Sequence, residues 1–127
     1  MEYKYSKNFN PPAPVIEISV SAPLSKDAIS LRALIDSGAD ITVVPERIVS
    51  QLKLRRVDSA LTTGFGKGVT EAAVYAAILS VEGILKPKIY RFLSWSENYV
   101  LLGRDLLNQL VTVLNGPNEE LKLRNVR

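Results

Sequence analysis

The stretch "LRALIDSGADITVVP", Leu31 to Pro45, decides how the rest of the chain is read. Asp36 stands there between a run of core-type residues and the pair Ser37-Gly38, and β-branched residues resume at Ile41. A carboxylate set into apolar sequence is costly unless it is partnered or put to use. Its surroundings predict a strand that runs into an Asp-Ser-Gly turn and a second extended segment that leaves it.

Working outward, "VIEISV" (Val15 to Val20) alternates apolar and polar residues and predicts a half-buried strand. "ISLRALI" (Ile29 to Ile35) is the strand that delivers Asp36, and "ITVV" (Ile41 to Val44) is the one that follows it. Pro45 opens a short helix over "PERIVSQL", with Glu46 in its first turn. Upstream, "PPAP" (Pro11 to Pro14) is extended because proline fixes its own φ and biases its predecessor away from helix. Residues 1–14 therefore read as an extended lead-in and 15–127 as the domain proper.

Composition narrows the chemistry. At 127 residues and 46% hydrophobic content the chain holds one domain with a real core. It has no cysteine and no histidine, which excludes disulfides, thiol nucleophiles, Ser-His catalysis and the commonest zinc ligand. Carboxylates, Lys, Tyr and Ser/Thr remain, so no metal and no cofactor is expected. The net charge of +3 comes from 16 Lys+Arg against 13 Asp+Glu, scattered apart from "KLRR" (Lys53 to Arg56) and "KLRNVR" (Lys122 to Arg127). Nucleic-acid binders usually carry a denser basic patch, and no nucleic-acid partner is expected. No apolar run reaches membrane-span length, nor does the N-terminal stretch resemble a signal peptide. The expectation is a soluble, cytoplasmic chain with no membrane partner.

The segment "LTTGFGKGVTEAAVYAAILSVEG" carries Gly64, Gly66 and Gly68. No GK[ST] ending follows, so a phosphate loop is a poor reading, and a glycine-rich hairpin tip with Phe65 as its one large apolar contact is the better one. "KPKIYRFLSW" (Lys86 to Trp95) predicts another strand, with Trp95 in the core or in a pocket wall. "YVLL" is strand-like, "LLGRDLLNQL" (Leu101 to Leu110) spaces its leucines for one buried helical face, and "VTVL", Asn115-Gly116 and "EELKL" form a hairpin. Asp105 suits the start of that helix, whereas Arg104 opposes the helix dipole there and should meet a carboxylate from elsewhere.

"ALIDSGADITVV" resembles the active-site motif of retropepsin-like aspartic proteases, and "VLLGRDLLNQL" is similar to that family's second signature, with "GFGKG" standing where its flap hairpin would be. The resemblance spans roughly Leu31 to Leu114 and implies an all-β, closed barrel-like acid protease fold with one short C-terminal helix, acting as a homodimer. It implies that Asp36 is the catalytic aspartate. Only one Asp-[Ser/Thr]-Gly exists, since Asp58-Ser59-Ala60 lacks the glycine, so the second carboxylate would come from Asp36 of another copy. Two such carboxylates share one proton and titrate as a unit, and they activate water against a peptide bond without a covalent intermediate.

By the same resemblance Ser37, Gly38, Asp40 and Arg104 support the site, Ser37 through hydrogen bonds beneath the dyad and Asp40 through an ion pair with Arg104. Gly38, Ala39, Asp40, Ile41, Gly64, Phe65, Gly66, Tyr99 and Leu101 are implied to contact a protein or peptide substrate, which binds as an added strand under the flaps. Tyr99 and Leu101 read equally well as ordinary core. Two rival readings use other features: a catalytically silent dimerisation or peptide-binding module of the same fold, and a small β-rich nucleic-acid binder.

Overall fold

The computed structural model describes residues 1–63 and 68–126. Alternation builds most of it, because successive strand residues point to opposite faces. In β2 (Val15–Ser21) Ile16, Ile18 and Val20 are buried, and in β3 (Ala28–Ile35) Leu31, Ala33 and Ile35 follow suit. β2 and β3 pair antiparallel, Val15 opposite Leu34 through Ser21 opposite Ala28.

Beyond the Asp36 turn come β4 (Val43–Pro45) and α1 (Glu46–Gln51), which buries Ile48 and Val49. β5 (Arg56–Thr62) and β6 (Thr70–Val81) form a hairpin, and β6 pairs on its other side with β7 (Leu85–Trp95). β8 (Val100–Leu102) lies parallel to β3. One sheet runs β2-β3-β8-β4-β7-β6-β5, and β2 also pairs with β6, so six of its strands close into a barrel with β5 outside. A closed barrel leaves few exposed edges and encloses one core, here including Ile18, Val20, Leu79, Phe92, Val100 and Leu102. After β8 come α2 (Arg104–Leu107), β9 (Leu110–Asn115) and β10 (Glu120–Asn125). β1 (Glu2–Lys4) joins β10 and β9 in a separate three-stranded sheet, so the lead-in contributes a strand.

One expectation needs correction. The second of the two short helices is a single turn over Arg104–Leu107, where the leucine spacing predicted helix from Leu101 to Leu110. Leu101 and Leu102 belong to β8, where pairing with β3 supplies backbone hydrogen bonds and burial that an isolated turn cannot match. Gly103 sets the boundary with extended backbone at φ −91°, ψ −177°. β5 carries no alternation in sequence because nearly all of it is exposed. It is held by its ladder to β6 and by exposed pairs such as Arg56 with Glu71, of the kind worth little individually.

The Asp36 segment and the β8–α2 segment meet at a buried polar crosspiece. Thr42, with no exposed surface, donates its backbone N–H to Asp105 Oδ2 (3.1 Å) and its hydroxyl to Asp105 Oδ1 (2.7 Å). The same hydroxyl accepts the Gly103 N–H at 3.1 Å, and Asp105 Oδ1 also accepts the Leu106 N–H at 3.0 Å. Gly103 packs so closely that a Cβ there would lie 2.7 Å from the Ile41 carbonyl carbon. Gly103→Ala is therefore expected to lower stability by about 2 kcal/mol through backbone displacement. Thr42→Val should cost about 2 kcal/mol by stranding the Gly103 N–H and removing one of the two hydrogen bonds to Asp105 Oδ1, while Thr42→Ser keeps most of the stability. Denaturant unfolding at one fixed protein concentration measures all three; a Thr42→Val as stable as the parent would show that the crosspiece contributes nothing.

Candidate active site

Asp36 is the first residue beyond the buried end of β3, and its N–H donates to the Leu102 carbonyl at 3.0 Å, prolonging the β3–β8 ladder by one bond. Its Oδ1 accepts the Gly38 N–H at 2.8 Å, and its carbonyl accepts the Ala39 N–H at 3.2 Å. The Asp-Ser-Gly turn thus fixes its own carboxylate. A Cβ at Gly38 would stand 3.1 Å from Asp36 Oδ1, so glycine keeps this contact uncrowded. Asp36 is half-buried, and among the described residues its second oxygen has no protein partner. One carboxylate is held in place and one of its oxygens is free to bind.

Arg104 grips the turn twice. Its N–H donates to the Ala39 carbonyl and its Nη1 to the Ser37 carbonyl, both at 2.8 Å. The expected ion pair with Asp40 does not form within the chain: both side chains are exposed, and the guanidinium satisfies a carbonyl instead. An exposed ion pair returns little free energy in water, so a carbonyl at good geometry competes successfully.

A cleft of about 780 Å³ opens beside the turn. Gly38, Ala39, Asp40, Ile41, Leu101 and Arg104 line it on one side, with Val43, Leu93 and Trp95 as apolar wall and Ala60, Leu61 and Thr62 contributed by β5. Val43, Leu93 and Val74 form a small core beneath, against which Ile41, Trp95 and Leu101 pack. Gly38, Ala39, Asp40, Ile41 and Leu101, all named from the sequence, thus line one cavity. Tyr99 does not: it sits behind Trp95, taking the indole N–H on its carbonyl at 2.8 Å, with its ring edge-on to Trp95 and to Phe9, each at 5.2 Å. Burial, with the Glu97 carboxylate adding to it, lifts the Tyr99 phenol above its ordinary value. Gly64, Phe65 and Gly66 lie outside the described residues.

Several contributors carried no signature in sequence. Thr42 looks like one more β-branched strand residue, and Asp105 like an ordinary helix-start acid; only their contact across 63 positions shows the role. Leu61 and Ala60 reach the cleft from a strand without alternation. Among the described residues no group of three or more acidic side chains is placed to hold a metal ion.

The geometry agrees with comparisons to known proteins. Among solved structures, a retropepsin-like aspartic protease from Rickettsia conorii matches with a TM-score of 0.64 at 14% identity, covering 98% of this chain and 89% of that one. The EIAV protease, solved in complex with an inhibitor, matches with a TM-score of 0.56 at 23% identity over 84% of this chain and 92% of that one. The Simian Foamy Virus (mac) protease matches at 0.50 and 24% identity, over 71% and 89%. At these identities the likeness shows the shared fold. No curated protein matches the chain. A family model described as retroviral aspartyl protease covers residues 10–115, from the lead-in through β9, and the chain belongs to that family.

Proposed function

We propose that this protein is an aspartic endopeptidase whose working form is a homodimer, with Asp36 of each copy forming a catalytic dyad. The observation that carries the proposal is the Asp36 turn itself: a backbone N–H bonded to the Leu102 carbonyl, a carboxylate fixed by the Gly38 N–H with one oxygen uncommitted, and beside them a cleft of about 780 Å³ with an apolar wall. A single chain offers one such carboxylate. Two brought together by a two-fold axis cannot both ionise at close range, so they retain one proton between them.

The chemistry follows from that shared proton. The ionised carboxylate removes a proton from a water molecule as the water oxygen attacks the scissile carbonyl carbon. The protonated carboxylate gives its proton to the carbonyl oxygen, and a tetrahedral diol results. Collapse of the diol breaks the C–N bond, with a proton passed to the leaving nitrogen, and the dyad ends with one proton as it began. Arg104, through the Ser37 and Ala39 carbonyls, positions the turn and does not touch the reacting atoms. Ile41, Val43, Leu93, Trp95 and Leu101 favour apolar side chains flanking the cleaved bond. The exposed Asp40 carboxylate at the same wall adds an acceptor for substrate backbone N–H groups. The β5–β6 hairpin supplies the covering flap.

Digestion of a peptide library between pH 3 and 7 tests the reading. Cleavage should peak at mildly acidic pH, be blocked by a statine-type inhibitor and fall by about a thousandfold or more in Asp36→Asn, whose fold should be unchanged. Cleavage that persists in Asp36→Asn would overturn the mechanism. Arg104→Ala should reduce kcat/KM roughly tenfold, the worth of one good hydrogen bond, and weaken dimerisation with it; a fully active, fully dimeric Arg104→Ala would remove Arg104 from the site. Trp95 is the only tryptophan and lines the cleft, so peptide binding to the inactive Asp36→Asn dimer should shift its fluorescence.

A further inference from the structure

Between β1 and β2 the lead-in folds into a closed loop. Ser6 and Ala13 exchange both of their backbone hydrogen bonds, the Ser6 N–H reaching the Ala13 carbonyl at 2.7 Å and the Ala13 N–H the Ser6 carbonyl at 3.1 Å. The Asn8 N–H donates to Ser6 Oγ at 3.2 Å. Just beyond the loop the Pro14 carbonyl accepts the Ile35 N–H at 3.0 Å, one residue before Asp36. The loop is thereby moored to the end of the strand that carries Asp36. At its tip Lys7, Asn8, Asn10 and Pro11 are exposed, whereas Phe9 among them is half-buried. A single ring turned inward from an exposed loop must offset the entropy of ordering that loop, and its contact is correspondingly specific.

That contact leads to the cleft. Phe9 meets the Tyr99 ring at 5.2 Å between centroids and 83° between planes, and Tyr99 meets Trp95 at 5.2 Å and 77°. Both are edge-to-face arrangements, in which the positive edge of one ring lies against the negative face of the other. Trp95 lines the cleft, and Tyr99 stands behind it with its carbonyl on the indole N–H. Packing against Val43, Val74 and Leu93 holds the indole without directing it, and one hydrogen bond fixes a point of the ring and not its plane. The perpendicular Tyr99 ring adds the missing orientation, and Phe9 holds Tyr99 in turn.

We infer that Phe9 is a specificity-determining positioning residue: through Tyr99 it sets the tilt of Trp95, and so the width of the apolar subsite that Trp95 walls. This rests on the endopeptidase reading of the cleft and gives the lead-in loop a part in choosing the substrate. Ile41, Val43, Leu93 and Leu101 complete the apolar wall, so the peptide residue received there carries a large apolar side chain. An indole held at one angle rewards that side chain with full contact; a loosened indole treats large and small side chains alike. The effect falls on binding and not on the chemical step, because the Asp36 carboxylate is held by the Gly38 N–H and its backbone by Leu102, with no help from the three rings.

Trp95 is the only tryptophan, so its emission reports the coupling without any substrate. In Phe9→Ala the emission should move to the red and be quenched more strongly by acrylamide. Phe9→Leu, which keeps apolar volume and loses the ring edge, should behave alike, and Phe9→Tyr, which keeps the ring, should match wild type. Circular dichroism checks that each variant folds. On peptides that vary the residues flanking the cleaved bond, Phe9→Ala should raise KM roughly fivefold for a large apolar side chain at the Trp95 subsite, the scale of one lost aromatic pair. KM for a small side chain there should stay near wild type, and kcat should change by less than about twofold, as expected when an interaction common to ground and transition states is removed. Folded Phe9→Ala and Phe9→Leu proteins with wild-type quenching or an unaltered side-chain preference would overturn the inference, as would a fall in kcat with KM unmoved. A wild-type protein that cleaves no peptide would sink the endopeptidase reading, and the emission of the variants would then decide by itself whether Phe9 sets the indole.

Discussion

The parallel pairing of β3 with β8 is the constraint on which the site depends. It aligns Ile35 with Leu102 and sets Asp36 one step beyond, its N–H still bonded into the ladder. Between Asp36 and β4 the chain has left the regular sheet and needs other partners, because buried backbone groups must be hydrogen-bonded. Thr42, Asp105 and Gly103 supply them with a compact network in which one carboxylate accepts three hydrogen bonds and one hydroxyl both donates and accepts. The closeness of that crossing leaves room for a hydrogen atom and not for a methyl at Gly103. A rigid support of this kind is what a reactive carboxylate needs if its position is to be held to a fraction of an ångström.

From that support the arrangement of charge becomes intelligible. Arg104 is spent on carbonyls of the turn, Asp40 is left to water at the cleft wall, and Asp105 is saturated within the crosspiece. Of the charged groups around the turn and the cleft, Asp36 combines partial burial with an uncommitted oxygen. In a chain without histidine or cysteine, a carboxylate so placed supports the proposed water activation by a carboxylate pair.

The legible parts of the sequence were those whose pattern is local. β2 and β3 show in the alternation of Ile16, Ile18 and Val20 and of Leu31, Ala33 and Ile35, and the β9–β10 turn shows at Asn115-Gly116. The leucines on both sides of Gly103 misled because Leu101, Leu102, Leu106, Leu107 and Leu110 fit a helical stripe while actually serving a strand, one turn and another strand. β5 left no trace because a strand exposed on both faces has no periodicity to display. Arg104 was recognisable as a residue needing a partner, but its choice of the Ser37 carbonyl over Asp40 depends on geometry that spacing does not encode.

Sequence alone determined the chemistry available: no thiol, no imidazole, one Asp-Ser-Gly, and a second Gly-Arg-Asp segment in keeping with it. It did so because reactive groups are properties of residue types and because short motifs fix their own turns, as the Gly38 N–H fixes Asp36. Tertiary structure decided what those groups face. Thr42 and Asp105 are 63 residues apart and become a single unit, Tyr99 is moved behind Trp95 instead of onto the cleft, and Leu61 reaches the cleft from β5. Contacts of that range arise only when the barrel closes, since the free energy that selects them comes from burying the two segments against each other, and neither segment carries a record of its partner.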